Sequence, residues 1–365
     1  MAKNNSMKKI ISALCLLLLF GCKNNPVHEF SFTPPVFNDT VKLTRHIIND
    51  TLITSDIEGL LSYKNYFILV TTTKDDKKLS ILDKKTGAFI KSFVNIGRGP
   101  GEVSNSCSIS INQSTGDIIL NDGNRRNILK YNIDSVLAGN SDYYEPISLL
   151  QFEKTLKGIR PCQGGFLLNT GKSALYHDAP RFALVDNSGN IITTYNAYPK
   201  LKGDKTLNDT SSMIHENIGG SSRLSPDGTQ LLSITTLGVI LETFEISKNR
   251  ISPIAIQGFY EPEYNIVEVD GFHFPQPNEK TTMHIGRIYA GNKYIYLQLY
   301  DPNRPLFSNT DKPQIYNQIG VFDWKGKSVK LLKTDCDISR FYVDEDNSKI
   351  YATTFPDDHL VYFDL

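Results

Sequence analysis

The chain has 365 residues with Lys+Arg 39 and Asp+Glu 39, so no net field draws it to nucleic acid, and DNA or RNA binding is excluded as a reading. Hydrophobic residues make up 40%, enough to bury a sizeable core, and Tyr 18, Phe 19, Gly 25 and Pro 17 favour strands and turns over helices. An all-β fold is expected.

The first residues have the layout of a secretory leader. Lys3, Lys8 and Lys9 precede an apolar run from Ile10 to Phe20 that is too short to span a bilayer. The run ends Leu19-Phe20-Gly21-Cys22, which resembles a bacterial lipobox, with Cys22 as the acylated first residue of the mature chain. The alternative is a signal peptide cleaved nearby, with Cys22 incidental. Acylation would tether the protein to a membrane through lipid rather than through a spanning helix. Residues 1–21 are therefore expected to be signal peptide, 22–35 a polar tether and 36–365 the folded domain. Lys23 and Asn24 follow the cysteine without an Asp, similar to the outer-membrane sorting pattern of Gram-negative lipoproteins. The expected location is the cell envelope, with periplasmic and surface faces both open.

Beyond the tether the chain reads as recurring antiparallel meanders. The first runs from Ile57 to Val94, with turns at Tyr63-Lys64-Asn65 and Lys84 to Gly87. The second follows a glycine-rich loop and takes Ser108 to Ile111, Asp117 to Asn121, Ile128 to Ile133 and an outer strand from Tyr144 to Leu150. The third runs from Gly158 to Tyr195, with the hairpin signal Asp186-Asn-Ser-Gly-Asn190. The fourth begins at Ser222 and is pinned by Pro226-Asp227-Gly228, and the fifth takes Ile285 to Lys333. The sixth, from Arg340 to Asp364, has three strands only. One meander cannot bury its own faces, so recurrence points to blades stacked around an axis, a six-bladed β-propeller. The segment from Asp39 to Asp50 alternates apolar with polar, and Val41 to Ile48 is expected to supply the fourth strand of the last blade and close the ring. Asn196 to Gly220 and Phe259 to Thr282 are too long for turns and are expected to cross one face.

At the junction of the first two blades stands Gly97-Arg-Gly-Pro-Gly-Glu102. It resembles the GRGPGE signature of the TolB-like six-bladed propeller lipoproteins of Bacteroidetes, and the lipobox and mature length agree. The resemblance implies a fold and an envelope location, and no reaction. The glycines would let the loop present N–H groups to an anion, or they serve only the turn between blades, with Arg98 and Glu102 pairing locally. No Gly-Lys-Ser/Thr follows, so the loop is not a nucleotide-binding P-loop.

Four arginines recur just before the first turn of successive blades: Arg160, Arg223, Arg287 and Arg340. Innermost strands line a propeller's channel, so these positions would ring it with guanidiniums, with Glu58 and Ser108 near the corresponding place in blades 1 and 2. With Arg98 and His284 they are expected to form an electropositive mouth for an anionic ligand such as a carboxylate or phosphate. The competing reading is that each arginine pairs with a neighbouring blade's carboxylate and only ties blades together.

Signs of catalysis are sparse. No G-x-S-x-G and no HExxH is present, and no cofactor is expected. An axial calcium held by Glu58, Asn217 and Asp56 would be the route to a lactonase-like hydrolase or lyase acting on a sugar-derived acid. Cys107, Cys162 and Cys336 are odd in number and lack CxxC spacing, so packing as small apolar side chains is expected, with a Cys107–Cys162 bridge as the alternative. The favoured reading is an envelope lipoprotein that binds an anionic small molecule or an envelope protein partner.

Overall fold

In the computed structural model, residues 31–51, 57–73, 75–149, 152, 156–170, 179–199, 220–269, 272–301 and 316–365 are described. The leader, Cys22, Asp56 and Asn217 lie outside them, as does most of the Asn196 to Gly220 segment. No helix among the described residues is long and apolar enough to cross a membrane.

Six antiparallel sheets form the blades. Blade 1 runs Ile57–Tyr63, Tyr66–Thr71, Lys77–Asp83 and Phe89–Asn95; blade 2 Ser108–Ile111, Asp117–Asp122, Asn127–Asn132 and Glu145–Pro146. Blade 3 comprises Gly158–Cys162, Gly165–Asn169, Phe182–Asp186 and Ile191–Tyr195; blade 4 Ser221–Leu224, Gln230–Ile234, Val239–Ser247 and Arg250–Tyr260. Blade 5 has Ile285–Ala290, Ile295–Leu299, Gln318–Phe322 and Ser328–Thr334, and blade 6 Ile338–Asp344, Lys349–Thr354 and Leu360–Asp364. Several outer hairpins turn on an aspartate: Asp83 Oδ1 accepts the Lys85 and Thr86 amides at 3.0 and 2.8 Å, and Asp186 Oδ1 the Ser188 and Asn190 amides at 2.9 Å. The left-handed residue that such a turn needs is Gly189, at φ 84°.

Blade 2 departs from expectation. Its third strand ends at Asn132, whose side chain caps a short helix, Ile133–Leu137, by accepting the Ser135 amide at 3.1 Å. The outer strand shrinks from the expected Tyr144 to Leu150 to Glu145–Pro146, where the proline has no N–H to extend the ladder. The Phe259 to Thr282 segment is also more ordered than an excursion, since Tyr264–Val269 and Phe272–Pro277 pair as a hairpin.

The core lies between blades. Six clusters of buried apolar residues each join one adjacent pair, including blade 6 with blade 1. Aromatic pairs mark several interfaces: Phe182 on Phe244 at 5.7 Å, Phe259 on Phe322 at 5.2 Å and Phe67 on Tyr351 at 4.9 Å between ring centres.

The N-terminal segment closes the ring, with a correction to the expected strand. His46–Asn49 is the fourth strand of blade 6, antiparallel to Leu360–Asp364. Val41 is not part of it: Thr40–Leu43 instead runs parallel to Ser328–Thr334 as a fifth strand on blade 5. The reason is the chain's route. Phe32 bridges to Gly258 on blade 4 and Ser328 Oγ donates to the Val36 carbonyl at 2.6 Å, so the segment crosses the rim of blade 5 before it reaches blade 6. The propeller thus begins within the stretch expected to be tether. At the seam, Asn49 Nδ2 donates to the Gly87 carbonyl at 3.0 Å, and Lys84 bonds Asp344 at 2.8 Å while lying 4.9 Å from the Tyr351 ring centre.

The most buried ion pair joins blades 3 and 4. Arg181 is 1% exposed and holds Glu242 in a two-point contact, with Nη2 also donating to Ser233 Oγ at 2.9 Å and Nη1 to the Ala197 carbonyl at 2.9 Å. Its guanidinium lies 4.7 Å from the Tyr198 ring centre. Because removing either partner strands a buried charge, Arg181→Ala or Glu242→Ala should each cost about 3–5 kcal/mol in urea unfolding, with the double variant costing much less than the sum.

Candidate ligand-binding site

The inner strands surround a central cavity of about 930 Å³ lined, among others, by Arg160, Arg223, Arg287 and Arg340. Each arginine is the third residue of its inner strand. The structural equivalents in blades 1 and 2 are Gly59 and Ser110, so the expected register of Glu58 and Ser108 shifts by one and two residues. Glu58 is the extra residue of a bulge between Ile57 and Gly59, which is why its carboxylate still reaches the cavity.

A cyclic hydrogen-bond pattern fixes this register. Ser110 Oγ donates to the Ile159 carbonyl of blade 3 at 2.9 Å, and Arg160 Nη2 to the Ser222 carbonyl of blade 4 at 2.6 Å. Arg287 Nε donates to the Ser339 carbonyl of blade 6 at 3.1 Å, and Arg340 Nε to the Glu58 carbonyl of blade 1 at 2.6 Å. Arg223 turns back to its own blade, its Nη1 donating to Ser221 Oγ at 3.0 Å and the Ser222 carbonyl at 2.8 Å. The arginines therefore do link blades, but through main-chain oxygens. Among the described residues none of the four forms an ion pair with a carboxylate, contrary to the competing reading.

Among the described residues, then, no carboxylate stands at ion-pair distance from them. Desolvation inside the cavity, and after it the neighbouring Arg223, pull the Arg160 guanidinium down to about 9. Desolvation and then Arg287 lower Arg223, and the same two causes bring Arg340 to about 10. The cavity therefore holds a chain of like charges. Glu58 and Asp358 offset this only in part at Arg340, behind desolvation and Arg287. Glu58 is bound by the buried Lys78 ammonium at 2.7 Å, and Asp227 Oδ1 accepts from Ser225 Oγ and from the amide and hydroxyl of Thr229 within its own turn.

Two expected members lie apart from this cavity's lining. Arg98 is exposed in the glycine loop, whose carbonyls converge on a residue that the sequence did not single out. Arg125 donates to the carbonyls of Gly97, Arg98 and Glu102 at 3.2, 2.6 and 2.8 Å. Glu102 takes the Gly99 amide at 2.6 Å, rather than pairing with Arg98. The loop's carbonyls are thus taken up in a blade connection, which favours the turn reading of its glycines. Arg125 follows the turn sequence Asp122-Gly-Asn and belongs to no recurring series, so only the fold could reveal its role. Of the cysteines, Cys107 and Cys162 line the cavity as free thiols, pushed up to about 11 by burial, and Cys336 is free as well. For the calcium set, Glu58 is held by Lys78 and the other two residues lie outside the described ones.

His284 is the second member set apart. It is buried, stacked on Tyr260 at 4.0 Å between ring centres, with Nε2 2.6 Å from Thr282 Oγ1, and burial lowers it from 6.5 to about 4. The fold therefore favours the neutral ring. That stability is complete above about pH 6.5 and is lost as pH falls towards 4, an effect of about 2–3 kcal/mol. His284→Phe, which keeps the stacking, should flatten the dependence of the urea midpoint on pH in that window.

The family profile described as TolB-like 6-blade propeller-like matches residues 61–346. Among solved structures, a Bacteroides fragilis protein described as exported superposes with a TM-score of 0.53 at 14% identity, covering 92% of this chain and 97% of that one. A duf4221 family member from Bacteroides vulgatus gives 0.50 at 10% identity, with 90% and 96% covered. At such identities the likeness concerns the fold alone. No curated protein matches the sequence. With six blades closed by the N-terminal segment and a profile match over most of the chain, the protein belongs to the TolB-like six-bladed propeller family.

Proposed function

We propose that the protein is a non-enzymatic, lipid-anchored binding protein of the cell envelope whose central cavity takes an anionic ligand. The observation that carries this reading is the set of guanidinium edges that have no partner among the described residues. Arg160 keeps Nε and Nη1, Arg223 Nε and Nη2, Arg287 both terminal nitrogens and Arg340 Nη2. Main-chain anchoring holds the planar forks in place before a ligand arrives, which reduces the ordering cost of binding. The envelope location rests on the leader and on the lipobox at Cys22.

Two experiments test the proposal. In the domain beginning after Cys22, citrate at matched ionic strength should raise the unfolding temperature saturably. At a concentration ~100-fold above Kd the gain corresponds to about 2.7 kcal/mol. The double variant Arg223→Ala/Arg287→Ala should fold, since both side chains line the cavity and neither belongs to a buried apolar cluster, and lose that gain. Lowered stability with the citrate effect intact would assign the arginines to blade linkage and leave a protein partner as the better reading. In the full precursor, Cys22→Ser should move the protein from the membrane to the soluble fraction; persistence with the membrane would refute the anchor.

A further inference from the structure

The charge of the cavity is one-sided. Arginines occupy the ring position on four consecutive blades, 3 to 6, while blades 1 and 2 carry Gly59 and Ser110. In a six-bladed ring, blade 1 faces blade 4 and blade 2 faces blade 5. Arg223 and Arg287 therefore look across at the half that bears Glu58, where Leu61, Val70, Ile109 and Ile111 alternate with uncharged polar residues such as Ser108, Ser110 and Asn112, and no cation among the described residues lines that half.

We infer that the ligand is a compact polyanion, with two or more carboxylate or phosphate groups on one side, seated against blades 3 to 6 with its uncharged side towards blades 1 and 2. This rests on the cavity being an anion site, as proposed above, and adds valence and orientation. A single carboxylate spans one fork and leaves the remaining guanidiniums repelling one another, whereas groups spread along the arc satisfy several unfilled edges together. Glu58 enforces the orientation. Its carboxylate is fixed by Lys78 at 2.7 Å and remains 40% exposed, so an anionic group turned towards blade 1 meets a like charge beside an uncharged wall. The volume, about 930 Å³, suits a small molecule rather than a chain of a protein.

Calorimetric titration of the domain beginning after Cys22 with acetate, succinate and propane-1,2,3-tricarboxylate, and in parallel with phosphate and pyrophosphate, at constant ionic strength, tests the inference. Affinity should rise at least tenfold from acetate to the tricarboxylate, or from phosphate to pyrophosphate, and the steeper series identifies the group carried. Arg287→Lys keeps the charge but removes the fork, and should cut tricarboxylate affinity more than acetate affinity. Glu58→Gln should tighten the tricarboxylate. Equal affinity across both series would overturn the polyanion inference while leaving an anion site in place; no binding of any anion would instead overturn the site itself. Binding of the tricarboxylate weakened by Glu58→Gln would reverse the assigned orientation.

Discussion

Every blade of this protein is apolar on both faces, and that requirement governs the rest of the structure. A sheet with two such faces is stable only between two neighbours, so the stack has no satisfactory end until it meets itself. Six of the buried clusters among the described residues follow this logic, one at each interface. The N-terminal segment satisfies it twice, by adding to the rim of blade 5 and by completing blade 6. Arg181 with Glu242 and Lys84 with Asp344 reinforce two of the interfaces, the second at the seam where chain ends meet.

Stacking of this kind leaves the axis to the inner strands. Their edges have no further strand to pair with, and the carbonyls of Ile159, Ser222, Ser339 and Glu58 receive side-chain donors from the preceding blade instead. An arginine suits the task because it can bond a carbonyl with one edge of its fork and still present another. Tying blades together through one edge does not use up the fork, so blade linkage and the proposed anion site are compatible readings of one side chain. The glycine-rich loop shows the opposite outcome. Its carbonyls and the Gly99 amide are consumed by Arg125 and Glu102, so a sequence that looks suited to an anion makes a connection instead.

Blade number, the strand pattern and the need for an N-terminal strand were all legible in the sequence, because alternation and turn residues are local and recur. The arginine series was legible for the same reason: equal distance from equivalent turns becomes equal height around an axis. What the sequence could not provide was any relation between residues of different blades. That Arg98 and His284 leave the ring, that Arg125 locks the loop, and that Arg181 finds Glu242 depend on the placement of whole sheets. The splitting of 40–49 between two blades likewise depended on the rim it must cross, since either sheet edge accepts its alternating pattern. Period and turn chemistry determined the blades; only closure of the ring decided which side chains meet, because the contacts that matter there are set by rigid stacking and not by spacing along the chain.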